Sequence, residues 1–227
     1  MKKFIAVGIC MLAVSTFGQN LQVHYDFGED RHFFTSTLEM YKATKKGAWF
    51  WFVDFDYNTK KKSASLAYWE IARYFNLPVL NNKLSLKLEY NDGLMLGNLP
   101  EGDYWGEPFH SAWLGGLGYS LDLKFITLQT DLLYRYMQVS NSPDWQLTLS
   151  WFEPYFNGKI VFTGFVDWWS QDLYGEKKMV FQSEPLIWYM ATPNFGLGGE
   201  VEISRNFLPQ FGSDWKFMPT LAVMWIF

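Results

Sequence analysis

The 227-residue chain has one cysteine, three histidines and no long hydrophobic run beyond its first residues. One thiol excludes an internal disulfide framework. No Gly-rich phosphate loop occurs, and the Asp-x-Asp spacing of Asp54 and Asp56 is too common to mark a calcium site, so neither a metal nor another cofactor is expected. After the leader the longest apolar stretch runs from Ala48 to Val53, far short of the ~18 residues that mark a membrane helix. A mean hydropathy of −0.11 argues against a helical membrane protein, which would lie well above zero. Acidic residues outnumber basic ones, 23 to 19, so the basic stripe of a nucleic-acid binder is missing. What the chain has in excess is aromatic: Phe, Trp and Tyr make up 20% of it, which excludes disorder. A chain of this size forms one domain or at most two.

The N-terminus reads as a secretory leader. Lys2 and Lys3 form a positive n-region, Phe4 to Val14 is uncharged and apolar, and Thr16-Phe17-Gly18 places small residues around a cleavage site. Residues 1–18 are therefore expected to be removed and residues 19–227 to form a single domain. Ile9 is too bulky before Cys10 for a lipoprotein signal, so the one cysteine leaves with the leader.

The remainder alternates with period two, the mark of strands with two different faces. Leu84, Leu86, Leu88 and Tyr90 alternate with Ser85, Lys87, Glu89 and Asn91. The same rule holds for Leu21–Phe27, Leu128–Tyr134, Trp145–Trp151 and Leu197–Ile203. Extending it predicts about twelve strands, near 20–28, 33–42, 48–57, 65–75, 83–91, 110–120, 125–136, 144–154, 159–169, 178–189, 195–205 and 214–227. The resulting expectation is all-β: one antiparallel transmembrane β-barrel with an even strand number and both termini periplasmic, in the outer membrane of a Gram-negative bacterium. Residues 92–109 form the longest predicted connection, an outer loop whose Tyr104 and Trp105 are candidates for partner contacts. Asn157-Gly158 predicts a tight turn on the opposite side. Pro185 and Pro219 remove ladder donors inside predicted strands, so bulges or strand ends are expected there. Trp215, Phe217, Pro219, Leu221, Val223, Trp225 and Phe227 share one face, and a final amphipathic strand ending on Phe227 is expected to be read by the barrel-assembly machinery.

A bilayer accounts for the aromatic excess, because Trp and Tyr girdle a barrel where lipid meets water. Candidates are Trp49, Trp51, Tyr57, Trp69, Trp113, Tyr134, Tyr136, Trp145, Trp151, Trp168 and Trp225. The opposite face carries Asp54, Asp56, Glu70, Lys87, Glu89, Asp131, Arg135, Asp167, Glu184, Glu200 and Glu202, which assigns it to the lumen. Arg73 breaks the pattern: the phase that turns Glu70 inward turns Arg73 outward. Paired carboxylates on one strand face are the only hint of acid–base chemistry, and no Ser/His motif accompanies them, so no enzyme is expected.

Trp49-Phe50-Trp51-Phe52-Val53-Asp54-Phe55-Asp56 and Tyr68-Trp69-Glu70-Ile71-Ala72-Arg73-Tyr74 resemble strand segments of the nucleoside-specific channel-forming outer-membrane proteins (the Tsx-like family). So do Gly164-Phe165-Val166-Asp167-Trp168, Gln182-Ser183-Glu184-Pro185 and the C-terminal Val223-Met224-Trp225-Ile226-Phe227. The resemblance implies a monomeric twelve-stranded barrel that passes nucleosides, with Phe50, Phe52, Asp54, Tyr68, Glu70 and Asp167 at solute-binding positions. Arg135 and Glu184 join them as lumen candidates. The expected partners are the lipid bilayer and small solutes. The alternative function is a non-transporting structural or adhesive barrel whose outer loops bind partners.

Overall fold

A computed structural model describes residues 18–29, 31–58, 63–98, 104–173, 176–207 and 212–227. The expected leader lies outside the described residues except for Gly18. The strands are β1 (Gln19–Asp26), β2 (Phe34–Thr44), β3 (Gly47–Asn58), β4 (Ser63–Asn76), β5 (Leu84–Asn98), β6 (Tyr104–Asp122), β7 (Thr127–Met137), β8 (Asp144–Tyr155), β9 (Ile160–Leu173), β10 (Glu176–Ser183), β11 (Leu186–Met190), β12 (Phe195–Arg205) and β13 (Lys216–Ile226). All belong to one antiparallel sheet that closes where β1 pairs with β13. β10 and β11 are halves of one stave, both lying between β9 and β12, so the barrel has twelve staves. Among the described residues no helix is long and apolar enough to cross a membrane.

Closure follows from the chemistry of the chain. Each strand has one apolar and one polar face, and a closed sheet pairs every backbone group without an exposed edge. The outer surface carries an aliphatic band that includes Leu88, Leu117, Leu132, Leu197, Leu221 and Val223, all exposed. A chain of outward rings, Trp69–Tyr90–Trp113, continues round the barrel to Trp145–Trp168 on one side of this band. Trp49, Tyr189 and Trp225 lie on the other side, towards the termini. Arg73 does face outward, and its guanidinium packs 5.0 Å from the Trp49 ring and 4.8 Å from Phe75 near the termini end, where a long cation reaches the membrane–water boundary.

Several expectations are corrected. Residues 92–109 are not a loop. β5 runs to Asn98 and β6 begins at Tyr104, with Gly97 opposite Trp105 and Asn98 opposite Tyr104. At 15 and 19 residues these two strands outreach their neighbours, and a bulge at Asn91/Gly93 offsets their upper part. The bulge breaks strict alternation, which is why the segment looked irregular in sequence. Asn157-Gly158 forms a four-residue turn between Tyr155 and Ile160 instead of a two-residue one. Phe156, Asn157 and Gly158 all have positive φ there, of 52°, 58° and 83°, the conformation that Asn and Gly adopt most cheaply.

A strand end does fall at Pro185, where β10 stops at Ser183 and β11 starts at Leu186, but neither proline makes a bulge. The register against β9 and β12 is the same on both sides of Glu184-Pro185, so only a donor is lost. That register sets Gly164, Pro185, Val201 and Pro219 on one rung across four neighbouring staves. One rung away the β12–β13 pairing lapses, and the Thr220 hydroxyl accepts the Glu200 N–H at 3.1 Å in place of a ladder bond.

Inside, near the termini, Val161, Trp188, Ala222 and Met224 form an apolar cluster. Gly198 makes room for Trp188: a Cβ would run into the Ile187 carbonyl and lie 2.7 Å from Trp188 Cε3. Gly198→Ala is therefore expected to destabilise the barrel by ~1–3 kcal/mol, read from the urea midpoint of the protein refolded in lipid vesicles.

Candidate functional site

The lumen is the site, because Phe50, Phe52, Asp54, Tyr68, Glu70, Arg135, Asp167 and Glu184 all point into it. β3 alternates so that Phe50, Phe52, Asp54 and Asp56 face inward while Trp49, Val53 and Phe55 face lipid. β4 turns Tyr68, Glu70, Ala72 and Tyr74 inward by the same rule.

Four inward rings follow one another up this wall. Phe50 and Phe52 have centroids 5.9 Å apart, Phe52 and Tyr68 6.0 Å, and Tyr68 and Phe109 5.7 Å. The track is flanked by carboxylates with defined partners. The Tyr68 hydroxyl donates to Glu70 Oε1 at 2.6 Å, and Thr37 and Thr35 donate to Asp54 and Asp56 at 2.5 and 2.7 Å. Phe109 escaped sequence reasoning because it falls in the expected loop 92–109, and the bulge separates it from the phase of the strand predicted from residue 110.

Next to this wall lies a dense ionic group. Lys87 Nζ is 2.7 Å from Glu89 and 3.1 Å from Asp131, and it lies 5.2 Å from the Tyr74 ring. Asp131 also accepts from Tyr74 at 2.8 Å and from Gln129 at 2.7 Å. Gly118 opens the space these groups fill, since a Cβ there would meet Asp131, Gln129 and Ser85. Further round, Arg135 donates to Gln146 at 2.8 Å and stacks 5.5 Å from Trp169, and Thr148 donates to Asp167 at 2.5 Å. Glu70, Glu89, Lys87, Asp167 and Arg135 lie within electrostatic reach of one another. They come from staves on nearly opposite sides of the ring, so charges on facing walls act on one another across the lumen at this level.

The remaining wall is acidic. Glu184 accepts from Gln182 at 2.8 Å. His24 bonds Gln22 and Thr220 at 3.0 Å each, and its Nδ1 is 3.3 Å from Glu200. Arg31, in the β1–β2 connection, reaches in to Asp26 and Glu202 at 2.8 Å each. Burial disfavours its charge, but Glu202 and Asp26 outweigh that and raise its pKa, so it stays protonated. A connection has no periodicity, so nothing in the sequence marked Arg31 as a lumen residue. Asp54 and Glu184, from opposite walls, are again within electrostatic reach.

The sequence-predicted lumen residues thus fall into three groups. Phe50, Phe52 and Tyr68 form one track with Asp54 and Glu70 beside it, while Arg135 and Asp167 belong to the facing wall and Glu184 to the acidic one. Trp105, the second residue of β6, lies on the same face of that strand as Phe109 and packs against Gly97 in the hairpin; only the backbone of Tyr104 is described. Among the described residues no three His, Cys, Asp or Glu side chains are placed to hold one metal ion.

Among solved structures the chain is similar to the NanC porin, with a TM-score of 0.54 at 13% identity over 91% of this chain and 98% of that one. The KdgM porin aligns with a TM-score of 0.48 at 9% identity, covering 92% of this chain and 98% of that one. Omp33 of Acinetobacter baumannii aligns with a TM-score of 0.44 at 10% identity, covering 93% and 98% respectively. The first of these likenesses carries the fold, a closed antiparallel barrel of the outer-membrane type. No curated protein matches the sequence. The match that names a family spans residues 18–227, the whole of the barrel, and the chain belongs to that family, described as a domain of unknown function, DUF5020.

Proposed function

We propose that the protein is a monomeric channel in the outer membrane of a Gram-negative bacterium, with both termini periplasmic, that passes nucleosides or similar small solutes by facilitated diffusion. The observation that carries this reading is the inward track Phe50–Phe52–Tyr68–Phe109 with Asp54 and Glu70 along its edge. A twelve-stave ring is wider than the ~8-strand barrel that side chains simply fill. Rings on one wall offer stacking worth ~1–3 kcal/mol per base, and carboxylates accept the hydroxyl protons of a ribose. The resemblance of the β3, β4 and β9 segments to nucleoside-specific channels and the porin folds of the structural neighbours support the same reading. The outward aromatic face of β13, ending on Phe227, fits recognition by the barrel-assembly machinery. The reading is non-enzymatic.

Purified protein in liposomes is expected to pass uridine faster than a hexose of similar size, and Phe52→Ala is expected to lower uridine flux by about tenfold, the weight of one lost stack. Equal rates for the two solutes would remove the nucleoside preference and leave a general channel. The extended β5–β6 hairpin, with Trp105 exposed, favours the second reading, a non-transporting barrel that binds partners at its far end. A folded protein that conducts nothing in planar bilayers would favour that reading.

A further inference from the structure

The charges of the lumen are unevenly shared. Beside β5 and β7 the cations Lys87 and Arg135 stand among the carboxylates. The other half receives Asp26, Asp54, Asp56, Glu184, Glu200 and Glu202 from β1, β3, β12 and the tenth stave. There Arg31 is committed to Asp26 and Glu202, and Lys216, on the inward face of β13, is paired with Glu29, so six wall carboxylates face two cations that already have partners. Asp54 and Glu184 are bonded to neutral groups, Thr37 and Gln182, and Glu200 lies beside the His24 ring. These three carboxylates nevertheless lie within electrostatic reach of one another and of Glu202.

A second observation is independent of the acid count. Glu202 is only 6% exposed, its Oε2 is taken by Arg31, and its Oε1 has no hydrogen-bond partner. A buried carboxylate oxygen without a donor is costly, and this one belongs to a group of carboxylates whose charge the chain does not balance. The groups do not converge on a single metal position among the described residues. The field is therefore distributed along the wall, as in acid-lined cation pores, and is not gathered into a chelating cage.

We infer that the β1–β3 and β10–β13 half of the lumen makes the pore cation-selective, admitting alkali cations and primary-ammonium solutes ahead of carboxylates and phosphates. This rests on the channel reading above. The charge arithmetic is direct: wall carboxylates in a low-dielectric tube concentrate counter-ions, typically by ~10–10³.

The test is reversal potential in planar bilayers under a KCl gradient. A potassium-to-chloride permeability ratio on the order of 10 is expected for the unaltered protein. Glu184→Gln combined with Glu200→Gln should bring the ratio close to unity. Glu176→Gln, at an exposed acid paired with Lys178 at the barrel's far end, should leave it unchanged. A variant-free arm compares liposome influx of glucosamine, glucose and glucuronate, expected to fall in that order. A conducting protein that prefers chloride, or passes the three sugars equally, overturns the inference while leaving the channel standing. A folded protein with no conductance overturns the channel reading and this inference with it.

Discussion

Replacing Lys87 by methionine is expected to cost the barrel about 3–5 kcal/mol, the usual penalty for removing one partner of a buried ionic group. Lys87 is 4% exposed, and its ammonium is the cation closest to both Glu89 and Asp131, at 2.7 and 3.1 Å. Asp131 is 0% exposed, so no water takes the place of the lost charge without rearrangement of the wall. Glu70 and Asp167 lie near enough to add repulsion once the cation is gone. The triple variant Lys87→Met, Glu89→Gln, Asp131→Asn should recover most of the loss, because it removes the charges together and keeps their shapes. Urea unfolding in vesicles, followed by tryptophan fluorescence, measures both effects. A loss below ~1 kcal/mol for the single variant would mean that the group is hydrated and behaves as a surface pair.

The second large effect concerns the outer face. Leu132 is 61% exposed, and its neighbours on the rung are Leu117 and Leu147. In water such a leucine would be an ordinary surface residue, and arginine there would change stability by no more than ~0.5 kcal/mol. In the hydrocarbon band the same Leu132→Arg change is expected to cost ~2–4 kcal/mol. Phe156→Arg is the control: Phe156 is 77% exposed but sits in a turn beyond the strands, where arginine should cost close to nothing. Comparing the two unfolding midpoints in vesicles separates a bilayer-spanning barrel from a soluble one, since only the former distinguishes these positions.

The fold was legible because alternation is local and repeats. The faces of Leu84 to Asn91 follow from neighbouring residue types alone, and closure follows once every strand has one apolar face. Arg73 was legible too, as a cation whose phase forced it outward. The gaps arise where local rules stop. Phe109 is cut off by the bulge at Asn91/Gly93 from the phase of Ala112 and Leu114, so counting by twos back from that part of β6 misplaces it. Arg31 lies in a connection, and only the closed barrel brings it 2.8 Å from Glu202, far away in sequence. Pro185 reads as a strand breaker because its missing donor is visible in sequence, whereas the unchanged register on both sides is a property of the partners. As for the site, the sequence separated inward from outward aromatics, but it contained nothing to show that Phe50, Phe52, Tyr68 and Phe109 stand in line.

The rung shared by Gly164, Pro185, Val201 and Pro219 bears on how the wall yields. Interstrand bonds are what resist splaying of one stave from the next, and this rung has fewer of them across neighbouring seams. The opposite arc, from β4 to β9, has continuous ladders apart from its one bulge, and charged side chains brace it from within. The barrel is therefore mechanically lopsided, with a stiff arc carrying the braced ions and a compliant arc carrying Glu184, Glu200 and Glu202. If the lumen is the cation-selective channel proposed above, a solute too wide for the resting bore gains its clearance on the acidic side, and the part of the wall that attracts it is also the part that gives way.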